Sequence, residues 1–164
     1  MTFSTDELNY VMELDYPSQK VVQFHPDHLK MMPLNEFDRK HVGLFSSYRE
    51  YIEAYAASGL CFSAMQDGVL YACFGINKMF PHVYEAWLIP SAEISKKAYR
   101  MHKASLKFFD HAVNKLAIQR LQITVCTRNV RAVKWAERCY FEHEGLLRNF
   151  SADGDDYYMM SRIS

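Results

Sequence analysis

The chain has 164 residues, of which 49% are hydrophobic, so it can bury the core of one globular domain. This composition excludes a disordered or collagen-like protein. The 19 basic residues balance the 19 acidic ones, and a formal charge of zero argues against general nucleic-acid binding.

The sequence carries no signal for export, membrane insertion or metal binding. No apolar run approaches the roughly 18 residues that cross a bilayer, and the amino terminus is acidic. The cysteines form no C-x-x-C pair, and the histidines form no H-x-x-x-H motif. We therefore expect a cytoplasmic protein with free thiols, without a metal and without a membrane partner.

Several elements are predicted in the first half of the chain. Residues 1–20 hold acidic side chains but no basic one before Lys20, so we expect a peripheral acidic arm ahead of a domain over 21–164. A β-branched run at 21–24 predicts a strand, and a short helix follows it. Apolar residues at helical spacing predict another helix between Ser46 and Ser58.

Three strands should follow that helix. The dipeptide Asp67-Gly68 separates two apolar runs and is typical of a tight hairpin turn, because glycine accepts a positive φ. A third strand is predicted over 83–89. Apolar side chains then recur at intervals of three and four from Ser95 to Leu116, which indicates a long helix.

The remaining elements complete one α/β domain. Residues 120–125 read as a strand, so the long helix implies a right-handed crossover between two parallel neighbours near the centre of a mixed sheet. A helix over 130–140 and a terminal hairpin follow. The predicted order is β-α-α-β-β-β-α-β-α-β-β.

The second half resembles the GNAT acyltransferase superfamily in spacing and residue type. The resemblance rests on the phrase Leu116-Ala117-Ile118, on a closing Asp-Gly hairpin, and on Asn129, Ala132, Phe141, Glu144 and Gly145. It is greatest to the branch that acetylates protein amino termini, and it extends to phage-encoded GNAT-like proteins, some of them internal virion components. The resemblance implies a single domain in which the two central parallel strands splay apart to admit acyl-CoA.

The pyrophosphate loop of that family departs from its pattern here. The family reads Q/R-x-x-G-x-G/A at the start of the long helix, where amide N–H groups hold phosphate. Counting forward from the preceding strand puts Lys96 and Ala98 on the two small positions, and counting back from Asn129 puts Arg100 and His102 there. The first glycine is lost on either count.

Two interpretations of this loss remain open. The segment 93–103 is strongly basic, and the cations of Lys96, Lys97, Arg100 and His102 could hold the diphosphate of acetyl-CoA in place of the amides. Alternatively, these residues decorate a solvated helix face and no CoA binds.

Three further residues are candidates for the site. Glu85 stands among apolar neighbours on a central strand, where burial raises a carboxyl pKa towards that of a general base; an ordinary ion-paired glutamate is the alternative. Ala136 occupies the position of the tyrosine acid of many family members. Tyr140 could supply the acid instead, although we favour packing in the core. Asn129 can cap the last helix and bind the pantetheine arm, or act as a cap alone.

The preferred function is therefore acetyl transfer from acetyl-CoA to an amine of a small molecule or protein, with a protein amino terminus as the favoured acceptor class. A non-catalytic structural or binding protein is the alternative, with a homo-oligomer or virion assembly partner and a location in the virion. A third possibility is a regulatory module that binds CoA without turnover.

Overall fold

The computed structural model describes residues 2–44, 48–58 and 60–164. The α-helices of these residues are α1 (Thr5–Val11), α2 (His28–Met31), α3 (Glu36–Leu44), α4 (Tyr48–Ala57), α5 (Ala98–Leu116) and α6 (Val130–Arg138). The strands are β1 (Gln19–Gln23), β2 (Cys61–Gln66), β3 (Val69–Phe80), β4 (Val83–Pro90), β5 (Arg120–Cys126), β6 (Glu142–Leu147) and β7 (Tyr157–Ile163). A 3-10 turn over Ile94–Lys97 leads into α5. The chain divides into two compact units: unit 1 is Met1–Asn77 with Trp87–Phe108, and unit 2 is Lys78–Ala86 with Phe109–Ser164.

The strands form one mixed sheet in the order β1-β2-β3-β4-β5-β7-β6. Strands β4 and β5 pair in parallel, with Val83–Glu85 beside Arg120–Gln122. This confirms the predicted α/β fold, the crossover through α5 and the central place of the parallel pair. The described pairing ends where Glu85 faces Gln122, whereas β4 continues to Pro90 and β5 to Cys126.

The first 20 residues do not form the peripheral segment that we expected. The side chains of Phe3, Leu8 and Met12 are buried in unit 1. The acidic residues are not a sign of a solvated segment here. Glu7 belongs to a helix capping box, in which the Glu7 amide donates to Ser4 Oγ at 3.0 Å. Acidic side chains in a first helical turn stabilise the helix rather than indicate disorder.

The hairpin turn between β2 and β3 confirms the prediction from Asp67-Gly68. Both residues adopt positive φ values, 50° and 79°. Two consecutive positive φ values match the right-handed twist of the flanking strands.

Helix α3 has no counterpart in the predicted order. It begins after Asn35, whose side-chain oxygen accepts the Asp38 amide at 3.0 Å. Helix α4 agrees with the helix predicted from Ser46 to Ser58, although Ser46 itself lies outside the described residues. No helix of the described residues is both long enough and apolar enough to span a membrane.

Candidate functional site

The junction between β4 and α5 is where the family resemblance places the diphosphate, and five of its backbone amides are engaged. In unit 1 the amides of 91–94 and 96 donate to protein oxygens at distances between 2.7 and 3.2 Å. The acceptors lie on Pro33, Tyr71, Ser91 and Glu93. A phosphate could take these amides only by breaking bonds within the protein.

The start of α5 bears on the two ways of placing the family motif. The helix begins at Ala98, directly after the 3-10 turn. The count that assigns Lys96 and Ala98 to the small positions therefore puts the motif at the helix start, as the family pattern requires. The other count assigns Arg100 and His102 to the small positions, and these two residues lie inside the helix.

Two of the predicted cations lie in the 3-10 turn and have partners. The ammonium of Lys96 is 3.4 Å from Glu93, and both side chains are more than half exposed, so this pair is weak. The ammonium of Lys97 lies over the ring of Tyr71, 5.1 Å from its centroid. Neither contact buries the positive charge, so both cations can reach an anion.

The basic run continues along the first turns of α5. Arg100 is exposed, whereas His102 is half-buried and makes contacts of its own. Further along, Lys107 forms an ion pair with Glu13, and Lys103 lies 3.6 Å from the same carboxylate. These lysines lower the pKa of Glu13. The acidic segment thus neutralises the far end of the run and leaves the positive charge near the helix start, at Lys96, Lys97 and Arg100.

These observations test the fit of an acyl-CoA diphosphate to unit 1. The turn before α5 has no glycine, and its amides at 91–94 and 96 are engaged. Lys96, Lys97 and Arg100 present exposed or half-exposed cations along the turn and the first helical turn. The residues therefore fit a diphosphate held by side-chain cations and do not fit one held by these amides.

Glu85, the predicted base, lies on β4 in unit 2. Its side chain is half-buried, and burial raises the pKa of its carboxyl above the ordinary value of 4.5. No hydrogen bond or ion pair holds this carboxylate among the residues that the structure describes. The described residues therefore do not form the ion-paired alternative, and the carboxylate has no partner among them.

A hydrogen-bonded network beside Glu85 was not predicted from the sequence. Gln122 is the parallel neighbour of Glu85, and its Oε1 accepts from Arg120 Nε at 3.0 Å. The two Nη atoms of Arg120 donate to the two carboxylate oxygens of Glu144 at 2.8 and 2.5 Å. Ser161 Oγ donates to Glu144 at 2.6 Å. These bonds lower the pKa of Glu144 to about 2.

Tyr140 is exposed, so the prediction that it packs in the core is wrong. Its side chain is 66% exposed, and the guanidinium of Arg162 lies 5.7 Å from its ring centroid. The amides of Tyr140 and Phe141 donate to the carbonyls of Glu137 and Ala136, which is a Schellman motif with Tyr140 at its left-handed position, φ 65°. This backbone position, where the family has glycine, directs the tyrosine to the surface.

Asn129 caps α6 as predicted. Its Oδ1 accepts the Ala132 amide at 3.2 Å, so one end of the side-chain amide is engaged by the cap. The remaining Nδ2 is a donor only. A pantetheine contact by Asn129 stays a prediction.

Thiol or metal chemistry has little support in the described part of the chain. All four cysteines are among the described residues, all are buried, and none of them forms a disulfide. Burial raises the pKa of Cys139 to about 12 and that of Cys73 to about 11, so neither is a ready nucleophile. No group of three His, Cys, Asp or Glu side chains is placed to hold a metal ion within residues 2–44, 48–58 and 60–164.

Comparison with known proteins shows that the fold of this chain is similar to that of solved structures. No family model matches the sequence. No curated protein matches it either. An acetyltransferase of the GNAT family from Bacillus anthracis superposes with a TM-score of 0.69 and 14% identity, covering 89% of this chain and 95% of that one.

Two protein acetyltransferases are also similar. The ribosomal-protein-S5-alanine acetyltransferase from Vibrio fischeri has a TM-score of 0.68 at 13% identity, covering 92% of this chain and 95% of its own. RimL, a ribosomal L7/L12 α-N-protein acetyltransferase solved with coenzyme A, has a TM-score of 0.64 at 12% identity, covering 90% and 94%. The chain therefore has the fold of the GNAT acetyltransferases.

Proposed function

We propose that this protein is an acyl-CoA-dependent N-acetyltransferase that transfers an acetyl group from acetyl-CoA to an amine. The observation that carries the proposal is Glu85, a half-buried carboxylate without a described partner on the central parallel pair of a GNAT fold. Unpaired carboxylates with a raised pKa are a property of functional sites.

The proposed reaction gives Glu85 the role of base. An amine is protonated at neutral pH and cannot attack until its proton has gone to a base. The raised pKa makes Glu85 a stronger base than an exposed carboxylate. Acetyl-CoA supplies the thioester. The C–N bond forms and the C–S bond breaks. The departing thiolate takes a proton, for which the exposed hydroxyl of Tyr140 is the candidate donor. The second proton, which the nitrogen loses as it becomes an amide, would restore that hydroxyl.

Binding of the acyl-CoA diphosphate in unit 1 would rely on charge. Lys96, Lys97 and Arg100 would hold the diphosphate, with His102 beside them and Asn129 on the pantetheine arm. The names of the similar structures support a protein amino terminus as the acceptor, because two of those enzymes act on ribosomal proteins.

Thermal melting with acetyl-CoA tests the proposal first. A ligand at about 100 times its dissociation constant stabilises the folded state by about 2.7 kcal/mol, which for a chain of this size raises the melting temperature by about 5–10 °C. S-acetylpantetheine, which has no diphosphate, should give a smaller shift. Release of free thiol in the presence of an amine then measures transfer.

A matched pair of variants makes the melting test specific. Arg100→Ala removes an exposed cation at the start of α5 and should reduce the shift. Arg128→Ala removes an exposed cation of unit 2, which is paired with Asp155, and should leave the shift unchanged. Absence of any shift at millimolar acetyl-CoA would refute the enzyme proposal.

One observation favours a second candidate, a non-catalytic GNAT-fold structural or binding protein, including a virion component. The turn before α5 has lost the glycines of the family pattern, and its amides at 91–94 and 96 are engaged. This candidate predicts no melting shift with acetyl-CoA. A shift without thiol release would instead support the regulatory CoA-binding module.

A further inference from the structure

Unit 2 presents a row of polar side chains on one face of its strands. Along β5, half-buried Arg120 and Gln122 alternate with buried Leu121 and Ile123, so the polar pair lies on the face opposite the apolar one. Glu85 is beside Gln122 across the parallel ladder, and Ser161 faces Gln122 across the antiparallel ladder. Neighbouring strands put such partners on the same face.

The guanidinium of Arg120 is held at three nitrogen atoms. Its Nη atoms form a bidentate pair with Glu144, and its Nε donates to Gln122. Ser161, which is almost fully buried, fixes Glu144 from β7. A side chain held in this way cannot swing to another partner without losing several bonds at once.

This arrangement determines which way the amide of Gln122 is turned. A guanidinium only donates, so the atom of Gln122 that faces Arg120 is the oxygen. The NH₂ group of Gln122 is then turned away from Arg120. This NH₂ group has no acceptor among the described residues. The carboxylate of Glu85 likewise has no donor among them.

We propose that Gln122 binds the acceptor substrate, donating its Nε2–H to an oxygen of the molecule whose amine is at Glu85. Arg120, Glu144 and Ser161 are positioning residues that keep the NH₂ group of Gln122 in place. The proposal rests on the proposed function, because it assigns the acceptor to Glu85.

Glu85 and Gln122 together select a class of amine substrate. Glu85 requires a nitrogen that gives up a proton, and Gln122 requires an oxygen that accepts a hydrogen bond, on strands about 4.8 Å apart. An amine with a carbonyl or hydroxyl oxygen on the adjacent carbon satisfies both. A plain alkylamine has no such oxygen and therefore forms no hydrogen bond with the Gln122 NH₂ group.

Kinetics with glycinamide and ethylamine test the selection. We expect Gln122→Met to raise the KM for glycinamide about fivefold, the effect of one neutral hydrogen bond, and to leave ethylamine kinetics unchanged. The two amines differ in basicity, so each is compared only between variants. An equal effect on both amines, or none, overturns the proposal.

A matched pair of ion-pair variants tests the positioning role. Glu144→Gln loosens Arg120 and should raise the KM for glycinamide while kcat stays near the wild-type value. Asp155→Asn removes the ion pair with Arg128 in the same unit, away from this network, and should change neither constant. If both variants behave alike, the network has only a structural role.

A binding measurement separates this proposal from the proposed function. The side-chain amide signals of Gln122 in an ¹H–¹⁵N spectrum are assigned by their loss in Gln122→Met. Glycinamide, but not ethylamine, should shift them in the wild-type protein. If glycinamide shifts these signals but the protein transfers no acetyl group, the binding role of Gln122 is supported and the proposed enzymatic function is refuted. An active enzyme whose Gln122 signals do not shift with glycinamide would support the proposed function and overturn the binding role of Gln122.

Discussion

Gly75 lies where no side chain fits, and this gives a sharp test of the fold. A methyl group built on Gly75 would lie 2.7 Å from the carbonyl oxygen of Leu60, 2.9 Å from Cys61 Sγ and 2.9 Å from Trp87 Nε1. Real contacts of a Cβ atom are longer than these. The Leu60 carbonyl cannot withdraw freely, because it accepts the Ile76 amide at 3.1 Å.

The size of the effect follows from what must move. Inserting a methylene into a packed region costs about 1–3 kcal/mol, and retreat of Leu60 also weakens a hydrogen bond worth about 1 kcal/mol. We therefore expect Gly75→Ala to lower the free energy of unfolding by about 3 kcal/mol and the melting temperature by about 6–12 °C.

Urea denaturation of two glycine variants measures this. Gly145→Ala is the control, because nothing lies within 4 Å of its added methyl group and its φ is not positive. It should change the free energy of unfolding by less than about 0.5 kcal/mol. If Gly75→Ala is as stable as Gly145→Ala, then the close packing of β2, β3 and Trp87 in unit 1 is wrong.

Three other predictions have defined outcomes. Glu85→Gln should lower kcat at least about 100-fold by removing the base, with the acetyl-CoA melting shift unchanged. Lys97→Ala and Arg100→Ala should each weaken acetyl-CoA binding, more at low ionic strength, as titrations at two salt concentrations would show. Burial, together with neighbouring His25, lowers the pKa of His28 below its ordinary 6.5, so melting temperature should fall as the pH drops below that value.

Each of these predictions has a control variant or a result that would contradict it. Wild-type turnover by Glu85→Gln would remove Glu85 from the mechanism. Arg128→Ala should leave acetyl-CoA affinity unchanged at both salt concentrations, and the same result for Arg100→Ala would end the cation explanation. His28→Asn should flatten the pH dependence of melting, whereas His25→Gln, an exposed neighbour, should largely retain it.

The elements that the sequence predicts well are those whose signal is local. The Asp67-Gly68 turn, strand β4 and helix α5 follow from glycine chemistry, β-branched residues and apolar periodicity. Helix α1 is missing from the predicted elements, because acidic residues without basic ones are typical of a solvated arm. The Ser4-x-x-Glu7 capping box was a visible local signal that would have identified it.

The candidate site was predictable only in part, because its contacts are long-range. Glu85 follows from strand alternation and burial, and Asn129 from its place before a helix. The ion pair of Arg120 with Glu144 joins residues 24 positions apart on strands that are not neighbours in the sheet. No local pattern marks it, because the register that brings the two together comes from β7, which pairs with both strands.

The pH dependence of stability offers a way to separate an enzyme from a scaffold at Glu85. The folded-state pKa of this carboxyl lies above its ordinary value of 4.5, so the folded protein binds its proton more tightly than the unfolded chain. Stability from this group is complete below pH 4.5 and is lost as the pH rises through the folded-state pKa. Glu85→Gln should therefore be more stable than the wild type at neutral pH and lose that advantage in acid, although its kcat should be lower. Such an exchange of stability for activity is expected of a catalytic residue. A variant that is less stable than the wild type at neutral pH would show that the ionised carboxylate has a stabilising partner, and that Glu85 serves the fold.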